Sequence, residues 1–239
     1  MDYNITRLIN GCKEIGITLT DLQVDRFMNY YSFLIEKNKV MNLTAITEFN
    51  DVIDKHFIDS LTCVKAVNMT QIKTIIDVGT GAGFPGIPVK IIYPDKNVLL
   101  LDSLNKRINF LNELIGRLDL KNINTLHSRA EETGQDHKYR EKYDLVLSRA
   151  VSNLSVLCEY CLPLVKIGGS FLSYKTDGIE NEIKDAANAI KILGGKIESK
   201  KELIIPETDI KRLLINIKKV KQTPGKYPRK AGTATKEPL

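Results

Sequence analysis

Apolar residues recur at two different periods along this chain, and the period changes near residue 73. Before that point Leu22, Phe27, Tyr30, Tyr31, Leu34 and Ile35 recur at helical spacing, three or four residues apart from Phe27 onward. Thr20-Asp21 caps this helix and Asn38 lies near its end. Asn42-Leu43-Thr44-Ala45-Ile46 reads as a connector, and a short helix from His56 to Val67 leads on. From residue 73 short β-type runs alternate with helical ones. The runs Thr74–Val78, Val98–Leu101, Ile123–Leu126, Leu145–Leu147 and Gly169–Tyr174 read as strands. Helical patterns cover 84–93, 104–118, a short stretch after Ala130, 153–164 and about 178–193. Such alternation predicts a mostly parallel α/β sheet with helices on both faces. Two further strands, Lys196–Ile205 and Leu213–Val220, flank Pro206-Glu207-Thr208-Asp209 and predict an antiparallel hairpin. The expected division is a helical cap over 1–70, an α/β core over 71–220 and a terminal segment over 221–239.

The turn after the first strand carries the candidate chemistry. Asp77-Val78-Gly79-Thr80-Gly81-Ala82-Gly83-Phe84-Pro85-Gly86 puts an acid at a strand end, then glycines at every second position, then a helix start. Glycines there let the backbone turn tightly and approach a ligand. Pro85 is expected in the first helical turn, where its missing N–H costs nothing. The spacing Gly81-x-Gly83-x-x-Gly86, with Asp102 about 20 residues on, satisfies a dinucleotide fingerprint, so NAD stays open on that motif alone. Asp77 favours S-adenosylmethionine (AdoMet), because a carboxylate there attracts a cationic amino group, directly or through water, and repels a pyrophosphate. The terminal hairpin also departs from the repeated βαβ halves of a dinucleotide fold.

Asp102, ending the second strand, is placed either to accept both ribose hydroxyls or to cap the helix after it. Ala130-Glu131, after the third strand, either reads the adenine amino group or meets a helix dipole. Arg149, in Ser148-Arg149-Ala150 after the fourth strand, suits a methionine carboxylate, an RNA phosphate or a surface salt bridge. The Asn/Asp-Pro-Pro-aromatic run of adenine-N6 methylation is absent, and neither Cys158 nor Cys161 has the setting of a cytosine-C5 nucleophile. A ribose 2′-O enzyme needs a Lys/Asp/Lys/Glu-like set; Lys175 is present, but Arg149 stands where the acid belongs.

Charge adds a partner class. The chain carries a net +6, and from Lys218 onward seven Lys and Arg face the single acid Glu237. The excess therefore sits in the terminal segment and points to a polyanion. Within it, Lys226, Arg229 and Lys230 are candidates to neutralise phosphates and Tyr227 to stack a base; a disordered solvated tail is the alternative. Four scattered cysteines suit a reducing cytoplasm, and Cys158 and Cys161 read as core rather than zinc ligands. His56, His127 and His137 lack ligand spacing, so no metal is expected. No apolar run approaches the roughly 20 residues of a membrane span.

Taken together, the motifs resemble one family over nearly the whole chain, the RsmG (GidB) family of bacterial small-subunit rRNA methyltransferases. The resemblance rests on Asn42-Leu43-Thr44, His56-x-x-Asp59-Ser60, the glycine run with its Phe84-Pro85-Gly86 extension, and Leu101-Asp102-Ser103 with Lys106-Arg107. Arg129-Ala130-Glu131-Glu132, Ser148-Arg149-Ala150 and Tyr227-Pro228-Arg229-Lys230-Ala231-Gly232 complete it. It implies a class I, Rossmann-like AdoMet fold and methylation of guanine N7 at position 527 of 16S rRNA. It assigns Gly79, Phe84, Ala130, Glu131 and Arg149 to the cofactor, joining Asp77, Gly81, Gly83 and Asp102 from the residue pattern. Asn42, Thr44 and His56 become candidate contacts for the target nucleotide, with cap packing as the alternative. Guanine N7 offers its lone pair without deprotonation, so no catalytic base is expected. A cytoplasmic monomer is the further expectation. Removing the residues after 222 should then weaken RNA methylation and leave cofactor binding intact.

Overall fold

The computed structural model describes residues 5–149, 152–176 and 178–239. In chain order the strands are β1 (Thr74–Val78), β2 (Asn97–Asp102), β3 (Ile123–His127), β4 (Tyr143–Ser148), β5 (Val165–Lys175), β6 (Gly195–Ile204) and β7 (Lys211–Lys219). They form one sheet in the order β3-β2-β1-β4-β5-β7-β6. Neighbours among β1 to β5 are parallel, while β7 runs antiparallel to both β5 and β6. The expected mixed sheet with its terminal hairpin is therefore present, and the chain inserts β7 between β5 and an outer β6.

The N-terminal helices are α1 (Thr6–Glu14), α2 (Asp21–Met41), α3 (Phe49–Val52) and α4 (Asp59–Leu61). Around the sheet lie α5 (Gly86–Ile92), α6 (Asn105–Arg117), α7 (Ala130–Gln135), α8 (Leu154–Cys161), α9 (Glu180–Asp185) and α10 (Ala187–Ile192), and α11 (Thr233–Lys236) ends the chain. Helix α2 starts on a reciprocal cap, Thr20 accepting from the Gln23 N–H and the Gln23 side chain accepting from the Thr20 N–H. The helix expected to begin at His56 begins earlier, at Phe49, and passes through a π-helical stretch, Ile53–Ile58, between α3 and α4. Its first turns carry the helical spacing Phe49, Val52, Ile53 and Phe57, a signal present in the chain ahead of His56. Pro85 also differs from expectation: it is the N-cap residue of α5, and Gly86 takes the first helical position.

Alternation along the strands sorts the core into two layers. Ile75, Leu100, Leu145, Leu147, Leu172 and Leu214 pack under α2, α5, α6 and the 49–65 segment. Ile76, Leu101, Val146, Phe171, Ile215 and Ile217 face the other way, against α8 and α10. The N-terminal helices thus share their core with one sheet face. Tyr227, from the terminal segment, joins the opposite layer. All four cysteines are buried and unpaired, as the composition suggests. No helix among the described residues is long and apolar enough to cross a membrane.

Candidate active site

The carboxyl ends of β1 to β4 open onto one cavity, the position where parallel α/β sheets bind ligands. Gly79, Asp102, Ser128, Ala130, Glu131 and Tyr160 line it. The glycine turn that forms its floor is held by the two strand-end acids. Asp77, fully buried, accepts through Oδ2 from the Thr80 hydroxyl at 2.6 Å and from the Gly86 N–H at 2.8 Å. Asp102 accepts through Oδ2 from the Gly81 N–H at 2.9 Å and through Oδ1 from the Leu104 N–H at 2.9 Å. Arg107 reaches the same Asp102 carboxylate at 3.2 Å. Leu104, not Asp102, is the N-cap of α6, so the capping alternative gives way to a brace on the glycine turn.

The glycines divide the work. Gly79, with φ of 74°, borders the cavity. Gly83, with φ of 103°, faces inward, where an added Cβ would stand 2.7 Å from Ile87 and 2.8 Å from the Tyr30 hydroxyl. At Gly86 a Cβ would lie 2.3 Å from a Leu100 methyl and 2.9 Å from Asp77 Oδ2. Gly81 has open space at its Cβ position and gives its N–H to Asp102. Only Gly79 of the three expected cofactor glycines lines the cavity; Gly81 and Gly83 shape the turn.

Beside the cavity, a second group gathers around Phe84. The His56 ring stacks on Phe84 at 4.4 Å between centroids and Tyr30 stacks on it at 5.2 Å, with the Arg149 guanidinium 5.2 Å from the same ring. Thr44 Oγ1 lies 2.8 Å from His56 Nε2. Burial, reinforced by the Arg149 charge, pushes the His56 pKa down to about 3, so the imidazole is neutral at physiological pH. Arg149 donates to the Lys55 carbonyl at 2.9 Å and to Asp59 Oδ2 at 2.8 Å. Arg212 completes a bidentate pair with the same buried Asp59, at 2.7 and 2.9 Å. Asp59 and Arg212 join this group with little sequence signal: the acid lies inside the His56-x-x-Asp59-Ser60 motif, but an arginine at the start of a strand gives no signal of its own. Asn42 sits exposed at the end of α2 in the left-handed region, with φ of 51°. Ala150, the last residue of its motif, lies outside the described residues.

Electrostatics at the floor suit a cationic ligand. Burial raises the Asp77 pKa to about 6, opposed by the Thr80 and Gly86 hydrogen bonds, and Asp77 Oδ1 is buried with no hydrogen-bond partner among the described residues. An unsatisfied buried acceptor of this kind is expensive unless a donor or water reaches it. Two more carboxylates, Asp102 and Glu131, stand at the walls. Arg107 and Arg129 line the cavity as well, so the two wall carboxylates serve as acceptors for a donor-rich nucleoside, and Asp77 lies beneath the lining.

The terminal segment is ordered and docked, which corrects two expectations. Tyr227 is buried among apolar residues of the second core layer, so it offers no face to a base. Arg229 is committed to the buried Glu159 carboxylate, at 2.6 Å from Nη2 and 2.9 Å from Nε, rather than to a phosphate. Lys226 and Lys230 remain exposed. Lys175, the lysine that a 2′-O reading needs, is tied to Glu182 at 2.6 Å and to the Ser152 carbonyl.

The sheet order, the inserted antiparallel strand and a carboxylate-lined cavity at the parallel strand ends define a class I AdoMet-dependent methyltransferase. Solved structures share this fold. The crystal structure of ribosomal protein L11 methylase from Lactobacillus delbrueckii subsp. bulgaricus is similar with a TM-score of 0.51 at 16% identity, covering 68% of this chain and 77% of that one. M. jannaschii TYW2 in complex with AdoMet is similar with a TM-score of 0.50 at 15% identity, covering 62% and 70%. The profile of the GidB family, rRNA small subunit methyltransferase G, matches residues 23–211. The Ribosomal RNA small subunit methyltransferase G of Lachnoclostridium phytofermentans is 54% identical over 97% of this chain and 96% of its own length. That of Desulforamulus reducens is 53% identical over 100% and 99%. The chain belongs to the rRNA small subunit methyltransferase G family.

Proposed function

We propose that this protein transfers the methyl group of AdoMet to N7 of a guanine in 16S rRNA, at position 527, as a cytoplasmic monomer. The observation that carries the N7 reading is the state of the ionisable groups beside the cavity. His56 is held neutral with a pKa near 3, Lys175 is spent on Glu182, and Asp77 is enclosed under the glycine turn. None is poised to take a proton from an acceptor hydroxyl or amine. An unprotonated ring nitrogen needs no such group, and its methylation asks of the protein only alignment near contact distance.

In this reading the Gly79 backbone, Asp102, Ala130 and Glu131 hold the adenosine part of the cofactor. Asp102 accepts from the ribose hydroxyls and Glu131 from the adenine amino group. Asp77 attracts the amino group of the methionine part from beneath the turn, through water. Phe84 and Arg149 border that end, and Phe84 excludes solvent. The bound cofactor supplies an electrophilic methyl group on a sulfonium. Thr44, His56 and Asn42 then face the target nucleotide across Phe84, and Lys226 and Lys230 contribute surface charge to RNA association. The monomer reading draws support from β6, an edge strand whose Lys196, Glu198, Lys200, Lys201 and Glu202 discourage sheet-to-sheet pairing. Residues 5–70 act as a helical layer that carries the nucleotide contacts on the catalytic core.

The test is transfer of label from radiolabelled AdoMet to 16S rRNA and to small subunits from a strain lacking the mark. Chemical cleavage at N7-methylguanine should map the label to a single guanine. Label recovered on a ribose 2′-oxygen would overturn the assignment.

A further inference from the structure

The terminal segment does more than cover the sheet. It reaches the cavity wall through named hydrogen bonds. The Gly232 N–H donates to Glu131 Oε1 at 3.0 Å, and the Thr235 hydroxyl lies 3.2 Å from the Tyr160 hydroxyl. Glu131 and Tyr160 both line the cavity, the first from α7 and the second from α8. Upstream, Arg140 donates to the carbonyls of Gly134, Thr223 and Tyr227, each at 2.7 Å, and Gln135 donates to the Pro228 carbonyl at 2.7 Å. Pro228 sits so close to α7 that a Cβ at Gly134 would stand 2.6 Å from its ring. The Arg229–Glu159 pair then fastens the segment to α8, with the carboxylate side chain 1% exposed.

We propose that this segment is a strap belonging to the cofactor site: the Gly232 N–H positions the Glu131 carboxylate, and the Arg229–Glu159 pair is the clasp that holds it there. Gly232 and Arg229 are positioning residues. The proposal rests on the assignment of Glu131 to the adenine amino group. Its logic is that a carboxylate held by a backbone donor, with the Tyr160 hydroxyl as its other hydrogen-bonding neighbour, presents its remaining acceptor positions in one orientation, so less ordering remains when the ligand binds. A group that reads an amine by a charge-assisted hydrogen bond rejects the analogue that lacks it. Because coupling is reciprocal, ligand in the cavity must also steady the strap. This reverses the expectation that removing residues after 222 spares cofactor binding.

Calorimetry on the full chain with S-adenosylhomocysteine and with its 6-deaminated inosine analogue tests it. The wild type should prefer the adenosine compound by about ten- to a hundredfold, the range of a charged hydrogen bond. Arg229→Ala should reduce that preference at least about threefold and Glu131→Gln should abolish it. If Glu131→Gln loses the preference while Arg229→Ala retains it in full, the strap proposal fails and the assignment of Glu131 stands. If Glu131→Gln retains the preference, the assignment fails and the proposal with it. Hydrogen exchange on the wild-type chain needs no variant to fold: S-adenosylhomocysteine should slow exchange at the amides of 230–236. Unchanged exchange there at saturating ligand would overturn the proposal.

Discussion

Asp59→Asn should be among the most destabilising single changes in this protein that leave side-chain volume intact. The native carboxylate is 1% exposed and accepts three hydrogen bonds, two from Arg212 on β7 and one from Arg149 after β4. It is the joint between the N-terminal helices and two strands. An amide of the same shape keeps one acceptor oxygen and turns an NH2 toward a guanidinium, leaving two largely buried cations without the carboxylate they share. Breaking a buried pair in this way costs about 3–5 kcal/mol, and the retained acceptor argues for about 3. With a urea dependence of roughly 3 kcal/mol per molar for a chain of this size, the unfolding midpoint should fall by about 1 M. Because the charges are shielded from solvent, the loss should change little between roughly 0.05 and 0.5 M salt. A loss below about 1 kcal/mol, or one that shrinks by half in the higher salt, would show that the carboxylate is a surface charge in practice and refute the reasoning.

Two other outcomes follow from shifted ionisation. Asp77→Asn should weaken AdoMet binding about tenfold at pH 7.5, read by calorimetry, for loss of a charge-assisted contact; wild-type affinity should decline as pH falls through about 6, where Asp77 takes its proton, and equal profiles for the two proteins would contradict its role. Folded His56 binds a proton only near pH 3, whereas the unfolded chain binds it near 6.5. Between those values the unfolded state holds more protons, so stability falls as acid is added across that window. His56→Gln should flatten that limb of the pH–stability curve by a few kcal/mol, and an unchanged slope in denaturant titrations would show that another group sets it.

Much of the architecture is legible in the chain because the central strands are short, continuous apolar runs, buried on both faces, between segments of helical period. Residues Ile75 and Ile76 already announce two opposite core layers. The glycine run is legible as a turn, but its internal division is not. That Gly83 packs on Tyr30 while Gly79 borders the cavity depends on a helix some fifty residues earlier. Arg149 illustrates the same limit: its sequence offers three partners, and the choice is made by Asp59, ninety residues away. The terminal segment was misread for a physical reason. A cluster of cations looks alike in sequence whether it faces solvent or buried acids, and Glu159 lies within an otherwise apolar helix where nothing marks it as a receptor for Arg229.

The π-helical stretch at Ile53–Ile58 holds one residue more than an α-helix would in the same length. Removing one residue from it would give a more regular helix with better local hydrogen bonds. An α-helix of the same length would then join α3 to α4, leaving Asp59 beside Arg149 and Arg212 but changing the facing of the side chains between them, His56 among them. The segment therefore trades local helix regularity for the placement of the His56 ring on Phe84, and shortening it would gain the first only by losing the second.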